Sequence, residues 1–73
     1  MKRKTVKSSN IKSVGYDIKN KILELEFNNE VVYYYKDVGA VTTLEFIFAE
    51  SLGKYFAQNI KSKYKYMKGE FNG

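Results

Sequence analysis

Residues 21–27 read Lys-Ile-Leu-Glu-Leu-Glu-Phe, an alternation that puts Leu23, Leu25 and Phe27 on one side and Glu24 and Glu26 on the other. This is the pattern of a strand buried on one face. It constrains the fold strongly, because such a strand needs neighbours to pair with and a layer to cover its apolar side. The flanking sequence supplies both. Asn28-Asn29-Glu30 reads as a turn, since Asn tolerates left-handed backbone and bonds its own main chain. Residues 31–36 read as the next strand, with Val31, Tyr33 and Tyr35 on one side and Val32, Tyr34 and Lys36 on the other. Upstream, residues 11–18 carry β-branched and aromatic side chains with partial alternation, and residues 17–21 are polar and turn-like. The expected unit is a three-stranded antiparallel meander.

After Asp37-Val38-Gly39-Ala40 the period changes. Thr42 followed by Glu45 fits a capping box, Val41 is placed to staple onto Phe46, and Leu44, Ile47 and Phe48 form the expected core-facing stripe of a first helix. Ser51 reads as the cap of a second helix, with Leu52, Tyr55, Phe56 and Ile60 along one side and Lys54, Gln58 and Lys61 toward solvent. The expected fold class is therefore α+β: a three-stranded antiparallel β-meander followed by two α-helices packed on one face. The expected domain spans residues 6–66, with flexible basic tails at 1–5 and 67–73.

At 73 residues the chain has room for one core, and 44% hydrophobic residues with 16% aromatics are enough to fill it. Cys is absent, so disulfides and thiolate metal sites drop out, and a fold this small must rely on packing or self-association. His is absent too. Without either residue, the common zinc, haem and triad chemistries have no ligands and no ready base or nucleophile. No enzyme site, cofactor or metal is expected. The basic start Met1-Lys2-Arg3-Lys4 runs into Thr5, Val6, Lys7 and Ser8 rather than an apolar stretch, and nothing approaches the length needed to cross a bilayer. No signal peptide or membrane association is expected, and a cytoplasmic location is the default.

Several positions together resemble the KTSC domain, named for the carboxy-terminal domain of some lysyl-tRNA synthetases and found also as a free-standing small bacterial protein. They are Ser8-Ser9-Asn10-Ile11, Val14-Gly15-Tyr16-Asp17, residues 23–27, Tyr33-Tyr34-Tyr35 in place of the family's Tyr-x-Tyr, Ser51, Gly53-Lys54-Tyr55-Phe56, Ile60 and Tyr64. The likeness covers residues 6–66. It implies a binding role, with RNA suggested by the attachment to a tRNA enzyme. The sequence departs from the pattern where many members have Pro: Gly39-Ala40 and Lys65 stand there instead.

Charge points the same way. Residues 1–12 hold five basic groups and no acid, residues 13–50 three basic and seven acidic, and residues 51–73 five basic and one acidic. If the basic ends met, they would make one positive face. In residues 61–68, Lys61, Lys63 and Lys65 alternate with Tyr64 and Tyr66, and an extended chain would put lysines on one side and rings on the other. Lysines that track phosphates beside stacking rings are the tools of single-strand binders; the plainer reading is that the tyrosines cap the core and the lysines are solvated. Tyr33 and Tyr35 read as core, and Tyr34 as lying on an open face beside Glu24 and Glu26. Gly53-Lys54 after Ser51 reads either as a phosphate-facing helix start or as a packing glycine. With Arg3 the sole guanidinium, bidentate base reading is poorly provided for. The expected function is weak, sequence-independent RNA or nucleic-acid binding through Lys7, Lys12, Lys54, Lys61, Lys63, Tyr64, Lys65 and Tyr66. The rival is a protein-interaction module or homodimer using the exposed sheet edge or the face carrying Tyr34.

Overall fold

The computed structural model describes residues 3–6, 8 and 10–69. The central hairpins follow the alternation read above: β2 (Ile11–Asp17), β3 (Ile22–Phe27) and β4 (Val32–Tyr35) pair antiparallel in sequence order. The first hairpin turn is held by Asp17, whose Oδ1 accepts from the N–H groups of Lys19 and Asn20, both at 3.1 Å. The Asn20 side chain bonds the other oxygen and, with these backbone donors, keeps the carboxyl below its ordinary value. In the second turn Asn29 Oδ1 accepts from Val31 N–H at 3.1 Å, as expected of an Asx turn. The left-handed residue there is Glu30, at φ 68°, and not an asparagine.

The sheet has five strands, not three. β1 (Arg3–Thr5) pairs with β2, and β5 (Tyr66–Lys68), arriving after the helices, pairs with β4, giving the order β1-β2-β3-β4-β5. Residues 3–5 and 67–68, read as tails, are thus sheet edges. Neither segment shows an apolar period, since an edge strand of three residues is fastened by main-chain hydrogen bonds, and lysines at such edges discourage pairing with other chains. The basic ends also do not meet: they occupy opposite edges, four strand spacings of about 4.8 Å apart.

Two short helices, α1 (Ala40–Ile47) and α2 (Leu52–Asn59), cover one face. The core joins Val14, Leu23, Leu25 and Tyr35 of that face to Ile11, Val38, Phe46, Leu52 and Ile60. Ser51 caps α2 as expected, its Oγ accepting from Lys54 N–H at 3.2 Å. The start of α1 differs. The helix begins at Ala40 with Gly39 as its cap and no side-chain cap bond, so the Thr42–Glu45 box does not form. Instead Thr43 donates both N–H and Oγ1 to the Gly39 carbonyl at 3.0 Å.

The helix phase differs with it. Phe46 is 0% exposed and Thr43 is buried beside it, while Val41, Leu44 and Phe48 face outward at 71, 54 and 80% exposure. Neither the expected Val41 staple nor the Leu44, Ile47 and Phe48 stripe lies in the core. The cause is upstream: Val38 is fully buried, its N–H donates to the Lys21 carbonyl at 2.9 Å, and its carbonyl accepts from the Tyr16 hydroxyl. These contacts fix where the chain enters α1 and hence which side turns inward.

The second sheet face also corrects an expectation. One row runs Gly15, Glu24, Tyr34, Met67 across β2 to β5. Tyr34 and Glu24 are buried within it, and both have interaction partners. Tyr34 is therefore not displayed on an open face. Adding β5 moved it from the edge strand of a meander to the interior of a wider sheet. Nearby, Ser13 donates its hydroxyl to Glu26 Oε1 at 2.9 Å.

Candidate nucleic-acid interface

An eight-residue helix is only about 12 Å long, so α2 leaves part of the sheet face uncovered. The strand residues along its margin are Phe27, Tyr33 and Tyr35, whose rings line the gap. With Tyr66 of β5 and Phe56 of α2 they close a circuit of ring contacts. Phe27 meets Tyr33 edge-on at 5.3 Å, Tyr33 meets Tyr66 at 5.3 Å, Tyr66 meets Tyr35 at 5.6 Å, Tyr35 meets Phe56 at 5.6 Å, and Phe56 returns to Phe27 at 5.4 Å. Such edge and tilted pairs hold ring positions better than a loose apolar cluster would.

These rings line a groove of about 850 Å³, open to solvent. Gly53 and Ala57 keep the α2 wall low. Asn10 and Ile11 lie at one margin, Asn28 and Asn29 of the β3–β4 turn at another, and Lys61 and Ser62 follow α2. Among the described residues, no Asp or Glu lines the groove. Chemically it offers aromatic faces, three amide side chains that both donate and accept, and one ammonium. Gly53 has no strained backbone, and a Cβ there would meet Asn10 Nδ2 at 3.5 Å, an ordinary contact. Its small size widens the groove more than it permits any special turn.

Burial pushes the Tyr35 phenol up to about 12, with Tyr33 and Tyr66 adding to the effect. An unfolded chain releases that proton near the ordinary 10.0. The associated stability is present below pH about 10 and is lost as pH rises through about 12. Tyr35→Phe is expected to flatten the decline in the denaturation midpoint across that alkaline window, measured by urea unfolding at stepped pH. A decline unchanged by the substitution would show that the phenol is not buried as described.

The predicted site residues separate. Tyr66 and Lys61 come together at the groove. Lys63 and Lys65 are exposed in the segment between them, and the Lys65 carbonyl accepts from Lys36 N–H at 2.8 Å. Tyr64 is half-buried against the core, which is the plainer reading given for it. The extended arrangement expected for residues 61–65 is absent: Lys61 N–H bonds the Phe56 carbonyl, and Lys63 and Tyr64 N–H both bond that of Ile60, a run of turns. Lys12 is exposed near the irregularity in β2, away from the groove lining. Lys54 borders a separate shallow recess with Ser8, Asn10 and Ser51. Lys7 lies outside the described residues. Residues 10, 27–29, 33, 35 and 56 were not read as site residues. The signal available for them was that two helices of this length cannot cover the whole face.

Among the described residues, no group of three or more potential metal-binding His, Cys, Asp or Glu side chains gathers, and no helix is long and apolar enough to cross a membrane. The KTSC domain matches residues 7–64. An uncharacterised protein of Stutzerimonas stutzeri strain A1501 is 39% identical over 67 residues, covering 90% of this chain and 94% of that one. The crystal structure of a KTSC domain protein from Yersinia pestis superposes with a TM-score of 0.91 at 36% identity, covering 94% of this chain and 97% of that one.

Proposed function

We propose that this chain, which belongs to the KTSC domain family, is a non-catalytic domain that binds single-stranded RNA weakly and with little sequence preference, an unpaired base entering the aromatic groove. The observation that carries this reading is the position of Tyr66, ringed with Tyr33 and Tyr35 beside Lys61 in an acid-free groove. Unpaired bases stack on aromatic faces, and lysines nearby neutralise the phosphates that flank them. Asn10, Asn28 and Asn29 would bond base edges without committing to one base, because an amide both donates and accepts. Lys63, Lys65 and Lys68 extend the positive field along the same segment. Lys12 and Lys54 contribute only at longer range.

The test is a fluorescence-anisotropy titration of a labelled single-stranded RNA oligomer at low salt, repeated as salt is raised. Affinity is expected to fall with a logarithmic slope of about −0.7 for each phosphate neutralised. Lys61→Glu should weaken binding and make that slope shallower. A duplex of the same sequence, with its bases already stacked, should bind less well. No binding at low salt, or binding indifferent to Lys61→Glu and Lys63→Glu, would remove the reading. The protein-interaction alternative no longer has an open-face Tyr34 to rest on. What favours it now is the outward side of α1.

A further inference from the structure

The helix α1 reads Ala-Val-Thr-Thr-Leu-Glu-Phe-Ile and carries a single charge, Glu45. A helix that is apolar on every side is normally buried on every side. Here only the Thr43 and Phe46 side is covered. Val41, Leu44 and Phe48, spaced i, i+3, i+7, make a second stripe on the outside. Ile18 is equally exposed, in a turn tied to the start of α1 through the Lys21–Val38 hydrogen bond. Glu45 accepts a hydrogen bond from the Tyr55 hydroxyl at 3.0 Å, which draws its charge toward α2 and off the stripe.

We infer that this stripe is the contact surface of a homodimer in which two copies of α1 cross antiparallel about a twofold axis near Leu44. Three features favour a second copy as the occupant. The stripe is about 10 Å long, so a twofold at Leu44 brings Val41 of one chain against Phe48 of the other, the self-matching arrangement a twofold requires. The ends differ in charge: Lys19, Lys21 and Lys36 outnumber Asp17 and Asp37 around the start of α1, while Glu50 follows its end. Antiparallel crossing sets each basic end against an acidic one. Finally, exposed side chains of this size present on the order of 500 Å² per chain, near the lower bound for a specific interface and below the roughly 800 Å² of a standard one. The dimer is therefore expected to form reversibly, in the micromolar range or weaker. It leaves the lysine-bearing 61–68 segment and the groove free, so two chains of net charge +5 meet through a surface with almost none.

The test uses the full chain without RNA, in sedimentation velocity from micromolar to millimolar concentration. The wild type should shift from the 8.5 kDa monomer toward twice that mass, and Phe48→Glu should remain monomeric throughout. Phe48 is largely exposed, so circular dichroism of the variant should match the wild type. Because the chain has no cysteine, Leu44→Cys supplies a second readout: it should form a symmetric disulfide dimer under mild oxidation far faster than Lys54→Cys. A wild type that is monomeric at millimolar concentration overturns the inference, as does equal cross-linking of the two cysteine variants. Pelleting of the monomer with acidic phospholipid vesicles would then identify a lipid surface as the occupant instead.

Discussion

Phe46→Ala is expected to remove about 3–5 kcal/mol of stability, the usual range for truncating a fully buried aromatic. A domain of this size holds roughly 4–11 kcal/mol in total, so the variant should sit at or near the unfolding threshold at room temperature. Phe46 is completely enclosed, shares the core with Val38, Leu52 and Ile60, and packs its ring 6.0 Å from that of Tyr55. No small rearrangement fills the space it leaves, because Thr43 is the other residue that α1 buries and it is too small to take the place of the ring. Urea unfolding followed by circular dichroism measures the loss. It should be run on dilute protein, where self-association does not contribute. Leu44→Ala under the same conditions should cost within about 0.5 kcal/mol, as expected at a surface position. Equal losses at the two positions would mean that α1 is rotated from the phase described.

That contrast marks where sequence patterning stops being decisive. Residues 23–27 alternate so regularly that their strand, its buried face and its neighbours follow from side-chain period alone. For α1 the period is uninformative, because Val41, Leu44 and Phe48 make as good a stripe as Thr43 and Phe46. The choice between them is made by Tyr16 and Lys21, which anchor Val38 from a hairpin that is distant in sequence. Strands β1 and β5 were illegible for a different reason: Arg3-Lys4-Thr5 and Tyr66-Met67-Lys68 have no apolar period, and their place comes from backbone pairing. Ser51 was legible because a cap acts within one turn of its own residue. The candidate site divides along the same line. Tyr66 and Lys61 stood out as a local mixture of rings and charge, whereas their partners Tyr33 and Tyr35 are brought to them only by the β4–β5 pairing.

Tyr66→Ala should therefore cost the proposed RNA complex more than removal of any single lysine, and for a separable reason. The ring is about half exposed, while its neighbours Tyr33 and Tyr35 are held within the sheet. It is thus the member of the ring circuit best placed to take a base on its free side. Loss of one base-stacking partner weakens single-strand complexes by about 1–3 kcal/mol, or roughly fivefold to a hundredfold and more in affinity. Because no charge is removed, the salt dependence should keep the wild-type slope, whereas Lys61→Glu should change both affinity and slope. Tyr66→Phe retains the face and should bind within about twofold of the wild type. Anisotropy titrations of the three variants at two salt concentrations distinguish these cases. Backbone NMR spectra show whether β5 stays paired to β4 in each variant. If Tyr66→Ala keeps both its pairing and its affinity, bases do not stack in the groove, and any remaining RNA binding is a matter of lysines alone.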